Sequence, residues 1–343
     1  VKIPRVIQWA CGIGLASVGL FIFFRSVDTH ELARQLSHTH PLSLVACAAL
    51  SVLTLFLRSI RWNLLLPADK TAHKKQLFPI IVIAFMINNI LPARLGEVAR
   101  AVLLWKKNKY SGYVSIGSII VERVIDSLVF LACFFLPVFF IPRLSQATLV
   151  SASSVLKNTL SLTTFAVIAM AVFTFVVALF VTYSFFPQQV MRILTACAGP
   201  FRQKAQRIGA ELSSTLQWTF SLWKVACVIA LSFLIVWCYA AMTIVLIGEK
   251  WFGLGFGLFS QAFAALGAAI PLAPGYVGTL HALFLEGLSL CGLPRAQAGA
   301  VTILFHAVPY CTVTLLGLYY FFSIKVKFRD ISEGAETIEK AEG

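Results

Sequence analysis

Charged side chains are scarce in this chain. Asp, Glu, Lys and Arg make up 12% of its 343 residues, where a soluble domain carries about 25%. The set AVILMFWYC reaches 59% and mean hydropathy is +0.86, so too few polar groups remain to cover a water-facing surface. That excludes a soluble enzyme, a disordered chain and a disulfide-stapled secreted domain. Acids are the scarcest class, with 14 Asp and Glu against 28 Lys and Arg and a net charge of +14. In a soluble protein such a surplus would point to nucleic acid. In this composition it reads as the basic ends of membrane spans, and no nucleic-acid partner is expected. None of the eight cysteines forms a C-x-x-C pair, so they read as small buried hydrophobes. H-E-x-x-H, G-x-S-x-G and Walker loops are also absent. No enzyme activity, metal or cofactor is therefore expected. Ser37-His38-Thr39-His40 offers two imidazoles without a third ligand.

What is present is a series of apolar runs. Val6–Phe24 is long enough to span and lacks a small-x-small cleavage site, so it reads as the first helix. Asp28 and Glu31 have capping-box spacing and open a short surface helix over Asp28–His40. Pro41–Leu66 spans, with Arg58 and Arg61 placed to reach the headgroups. Leu77–Leu91 is too short to cross and runs into Pro92 and Gly96 before Lys106, which suggests a re-entrant hairpin over about 77–105. Ser111–Ile141, Leu160–Phe186 and Leu222–Gly248 read as further spans, with a cytoplasmic surface helix at about 188–221. Pro271, Pro274, Gly275 and Gly278 break a second hairpin over about 252–292. Ala296–Ile324 closes the series, and residues 330–343 form a polar tail.

The expected architecture is all-α: a single transmembrane domain over 1–329, with about six full spans and two re-entrant broken-helix hairpins from opposite faces. This layout puts 19 Lys and Arg in inner segments and 6 in outer ones. That asymmetry predicts cytoplasmic N- and C-termini, and the expected location is a bacterial inner membrane.

Ionisable groups at membrane depth are costly and mark candidate sites. Asn88, Asn89, Arg94, Glu97 and Arg100 fall at the first hairpin, and Glu122, Arg123 and Asp126 on the helix after it. His281 falls at the second hairpin and His306 in the last span. Glu122 and Asp126 share a helix face and need cations between them. Arg94, Arg100 and Arg123 can supply these or hold a phosphate, because guanidinium suits bidentate phosphate contacts. The start of Gly96–Trp105 offers helix N-terminal amides to the same anion. Asn88, Asn89, Glu97, Glu122, Asp126, His281 and His306 are candidates for orienting those Arg side chains or coupling transport to a proton. A salt-bridge network that only closes the hairpin is the competing reading.

The stretch Asn89-Ile-Leu-Pro92-Ala-Arg94-Leu-Gly96-Glu97-Val-Ala-Arg100 resembles the N-x-L-P-A-R-x-G-E-x-x-R pattern of the transmembrane-region family of lysylphosphatidylglycerol synthases. Arg58-Ser-Ile-Arg61-Trp62, Glu122-Arg123-Val-Ile-Asp126 and Pro274-Gly275-Tyr-Val-Gly278 follow the same resemblance. His281 and His306 stand where many members have an acid and an Arg. The resemblance implies a stand-alone translocase-like part without the aminoacyl-transfer domain. It implies a flippase- or scramblase-like translocator of a phosphate-bearing or polyprenyl-phosphate-linked lipid, with membrane lipids as partners. The alternative is a non-transporting scaffold for a glycosyltransferase or lipid-modifying enzyme.

Overall fold

The structure is a computed structural model that describes residues 5–66, 74–91, 94–108, 110, 112–141, 148–149, 160–161, 221–269 and 274–324. Pro92, Pro271, most of the return span from Leu160, most of the surface helix at 188–221 and the tail lie outside the described residues. Ten α-helices are described: α1 (Arg5–Arg25), α2 (Thr29–Ser37), α3 (Pro41–Leu65), α4 (Lys74–Ile90), α5 (Leu95–Asn108), α6 (Gly112–Phe140), α7 (Leu222–Ile247), α8 (Leu254–Ala269), α9 (Thr279–Leu290) and α10 (Arg295–Ser323). A two-residue antiparallel ladder, Thr148–Leu149 with Leu160–Ser161, is the one departure from all-α among them.

Large apolar side chains lie on the outside as well as in the core. Phe140, Leu222, Trp223 and Phe322 are exposed, while Arg61, Glu122, Ser118 and Ser232 are buried. Apolar side chains face out because the surrounding solvent is hydrocarbon, and polar ones turn inward to find partners. Among the described helices, α3, α7 and α10 are long and apolar enough to cross a bilayer. The chain is a polytopic helical membrane protein. Cys47, Cys133, Cys238 and Cys291 are buried as expected, but Cys311 is exposed on α10.

The described residues fall into two compact units. One is drawn from Val1–Leu53, Leu128–Thr174 and Val236–Thr312, the other from Thr54–Ser127, Phe175–Ile235 and Val313–Gly343. The first unit has an aromatic core around Phe134, Phe259, Phe263 and Phe284. The second packs Trp62, Ile80, Ile83, Leu103 and Leu104.

Each unit contains a pair of short helices packed together, α8 with α9 in the first and α4 with α5 in the second. The 17 residues of α4 rise about 26 Å at 1.5 Å each. The 12 residues of α9 rise only about 18 Å. Both fall short of the roughly 30 Å hydrocarbon core. Gly96 lets α5 approach α4, because a Cβ there would overlap the Ala84 carbonyl oxygen. At Gly278 a Cβ would overlap the Ala16 carbonyl oxygen of α1, and φ is +86°. Both positions therefore require glycine.

The cap of α2 is half as expected. The Asp28 carboxylate accepts from the amides of His30 and Glu31. Glu31, however, turns forward to accept from Arg34 and Gln35, so the reciprocal half of the box is not made.

Candidate functional site

The second unit concentrates charge around Glu122 on α6. Its carboxylate is fully buried and meets four guanidinium groups. Arg100 of α5 donates at 2.5 Å, Arg61 of α3 lies at 3.1 Å, Arg123 at 3.0 Å and Arg58 at 3.6 Å. One helical turn on, Asp126 meets Arg61 at 2.6 Å, Arg123 at 3.2 Å and Arg58 at 3.4 Å. The four-residue spacing puts both acids on the face that α3 and α5 cover. A buried carboxylate persists only when paired and hydrogen-bonded, and these two are.

Two neutral groups finish the geometry. Arg61 also donates to Ser232 of α7 at 2.8 Å. The Trp62 indole lies under the Arg100 guanidinium at 3.8 Å and donates to Ser118 at 3.0 Å. Trp62 is fully buried, so it fixes the plane of Arg100 by cation–π contact and offers no other surface.

Arg58 and Arg61 correct the expectation that they reach the headgroups: both are buried in this network. Acids already stood one α6 turn apart, and an Arg pair three apart on an apolar helix was the signal that could have matched them. The expected pairing is met: Arg100 and Arg123 pair with Glu122, and Arg94 pairs with Glu97 at 3.8 Å. Glu97 lies 3.8 Å from Arg123 as well.

The network is graded from inside to outside. Arg61 and Glu122 side chains are 0% exposed, but Arg94 is 26%, Glu97 30% and Arg123 35% exposed. Among the described residues, five guanidinium groups meet three carboxylates. The buried Nε atoms of Arg61, Arg100 and Arg123 have no hydrogen-bond acceptor.

Two amides of the expected site at the start of α5 are already taken. Gly96 N–H donates to Asn88 Oδ1 at 2.8 Å, and Glu97 N–H to the Arg94 carbonyl at 3.0 Å. Arg94 itself has φ +52°, a left-handed conformation that turns the chain into α5. Asn89 donates to Thr314 of α10 at 3.1 Å. Asn88 and Asn89 are thus holding the hairpin.

In the first unit, a 3-10 turn (Pro274–Tyr276) joins α8 to α9, with Gly275 at φ +56°. Gly278 N–H donates to His281 Nδ1 at 3.2 Å. That leaves the proton of neutral His281 on Nε2, which faces His306 Nδ1 at 3.4 Å. His306 also hydrogen-bonds the backbone of Gly275. The two imidazoles therefore tie α10 to both sides of the break. Glu286 of α9 pairs at the surface with Arg295 at 2.9 Å.

Among the described residues no cluster of three or more His, Cys, Asp or Glu could hold a metal. The UPF0104 membrane protein MJ1595 of Methanocaldococcus jannaschii is 26% identical over 118 residues, 32% of this chain and 35% of that protein. A UPF0104 membrane protein of Methanothermobacter thermautotrophicus is 25% identical over 122 residues, 35% of this chain and 36% of its own. The chain thus matches about a third of the length of each of these relatives. The family model for the lysylphosphatidylglycerol synthase TM region matches residues 9–317, which takes in both hairpins and the whole charged network. The chain belongs to the lysylphosphatidylglycerol synthase TM-region family.

Proposed function

We propose that the chain moves a phosphate-bearing or polyprenyl-phosphate-linked lipid between leaflets as a flippase or scramblase. The observation that carries this reading is the cluster of guanidinium groups in the α3–α5–α6 network, with Arg94 and Arg123 at its exposed edge. A lipid phosphate accepts from guanidinium N–H groups. A headgroup that crosses hydrocarbon must shed water, and fixed cations at depth lower that barrier.

In this reading the two short helix pairs enter the membrane from opposite faces of a bacterial inner membrane, with both termini cytoplasmic. Arg123 and Arg94 hold the phosphate first. Arg100, stacked on Trp62, anchors the inner limit of the site, and Glu122 and Asp126 fix the guanidinium planes. Glu97, held at 3.8 Å by each of two Arg, is the acid placed to let go of one when phosphate arrives. His281 and His306 orient the second break. No nucleotide hydrolysis drives the step.

The test uses purified chain in liposomes with head-labelled phosphatidylglycerol and a surface quencher. Exchange between leaflets without ATP is the expected result, slowed by Arg123→Gln in protein that remains folded. Folded wild-type chain that moves neither anionic nor polyprenyl-phosphate lipids overturns the proposal. A copurifying transferase would then support the scaffold, and a covalently altered lipid would support an enzyme.

A further inference from the structure

His38, Thr39 and His40 line a cavity that the charged network does not use. It has a volume of about 210 Å³ and sits in the first unit, between the end of α2, the start of α3, the end of α7 and the first turns of α10. At roughly 30 Å³ per water, it is room for about seven waters or one six-membered sugar ring. None of its lining side chains is Asp, Glu, Lys or Arg.

The polar lining can be resolved into donors and acceptors. Gln35 spends one side-chain amide N–H on Glu31 at 2.8 Å, and its side-chain oxygen is left to accept. Thr39 donates its hydroxyl to the Gln35 backbone carbonyl at 3.2 Å and retains its lone pairs. His40 Nδ1 accepts from Leu42 N–H at 3.3 Å, which puts the proton of the neutral ring on Nε2 as a donor. Ser43 and Gln297 each offer both kinds of group. Under this rim, Leu246, Ile247, Ala300, Val301 and Leu304 make an aliphatic floor.

A cavity with mixed donors and acceptors, no fixed charge and an apolar floor fits neither an ion nor an acyl chain. It matches a sugar, whose hydroxyls both donate and accept and whose ring carries a C–H face. We propose that this cavity binds the neutral sugar of a glycosylated lipid. As an assignment of the cargo's headgroup, this rests on the lipid-transport reading. The four segments around the cavity are those that the charge pattern places on the outer side.

The experiment measures equilibrium binding, independent of transport. The full chain in phosphatidylcholine nanodiscs is mixed separately with monoglucosyl diacylglycerol, phosphatidylglycerol and methyl glucoside. Binding is read by native mass spectrometry and by hydrogen exchange over residues 38–43 and 295–301. Monoglucosyl diacylglycerol is expected to bind and to protect both segments, and phosphatidylglycerol to protect neither. Ser43→Val and Gln297→Leu are each expected to weaken binding about fivefold, the loss of one neutral hydrogen bond. Val301→Phe, which fills the floor, should abolish it. Protection by methyl glucoside alone would assign the cavity to a free sugar and overturn the lipid source. Equal protection by phosphatidylglycerol, no protection by either sugar, or wild-type binding in all three variants would overturn the site itself. Glucosyl-lipid binding by a chain that moves no lipid would sink the translocator and leave this cavity assignment standing.

Discussion

The two broken hairpins solve one backbone problem in the same way and then diverge. In each, a glycine presses against a neighbouring carbonyl: Gly96 on Ala84 and Gly278 on Ala16. Each break has positive-φ residues, Arg94 in one and Gly275, Tyr276 and Gly278 in the other. A nearby side chain takes an amide at each break, Asn88 for Gly96 and His281 for Gly278. Yet the first hairpin adjoins five Arg and three acids, whereas the second is closed by neutral imidazoles. A broken helix therefore needs no ionic network to be held. The charges of the first hairpin exceed what its fold requires, and that is the physical argument for reading them as a site.

The sharpest test of this contrast is removal of the acid at the centre. Glu122→Ala leaves the buried Arg100 guanidinium without its carboxylate, takes one of two acids from Arg58, Arg61 and Arg123, and should cost about 3–5 kcal/mol. It should be visible as lost folded yield and a lower melting temperature in detergent. His281→Leu strands one amide and should cost about 1–3 kcal/mol. Equal damage from the two changes would erase the contrast.

Glycine substitutions probe what the hairpins share. Gly96→Ala should cost about 1–3 kcal/mol by overpacking, read as a melting shift. Gly278→Ala adds about 1–2 kcal/mol for a side chain in the left-handed region. A Gly96 variant with unchanged melting would mean that α4 and α5 can separate without cost.

Arg94→Gln removes an ion pair with Glu97 that is long and partly exposed and is therefore worth less than about 1 kcal/mol. It should nonetheless slow lipid exchange. If stability falls as far as in Glu122→Ala, Arg94 is a strut.

The smallest effect is a pH dependence outside the membrane. Hydrogen bonds from Arg34 and Gln35 hold the Glu31 carboxyl below its ordinary range. Its contribution to α2 is therefore complete above that ordinary range and fades as pH falls through the lowered value. Hydrogen exchange over residues 29–37 should rise on acidification below about pH 4.5 and stay level above it. No change down to pH 3 would show that the Glu31 contacts do not hold the helix.

Much of this was legible in the sequence. Run length gave the helix ends to within a few residues: α3 stops at Leu65 and α7 at Ile247, against Leu66 and Gly248. The breaks were visible because Pro and Gly interrupt apolar runs. Arg58 and Arg61 were misplaced because an Arg near a helix end fits both a headgroup and a buried acid. Only the tertiary position of α6 decides between them. The closed amides at Gly96 were equally hidden, since Asn88 reaches them through a turn that spacing alone does not define. The cavity beside His40 needs four segments brought together.

The pairing of Arg61 with Asp126 has a consequence for biosynthesis. Their 65-residue separation means α3 leaves the ribosome well before the acids of α6 exist. At 5–20 residues per second, that interval is roughly 3–13 s. An Arg at a helix centre disfavours insertion by about 2.5–3.5 kcal/mol on the translocon scale, and Arg58 and Arg61, nearer the end of α3, each add a smaller penalty of the same sign. Final seating of α3 thus depends on a later helix, and a chain truncated before Glu122 should leave α3 labile or exposed to quality-control proteolysis.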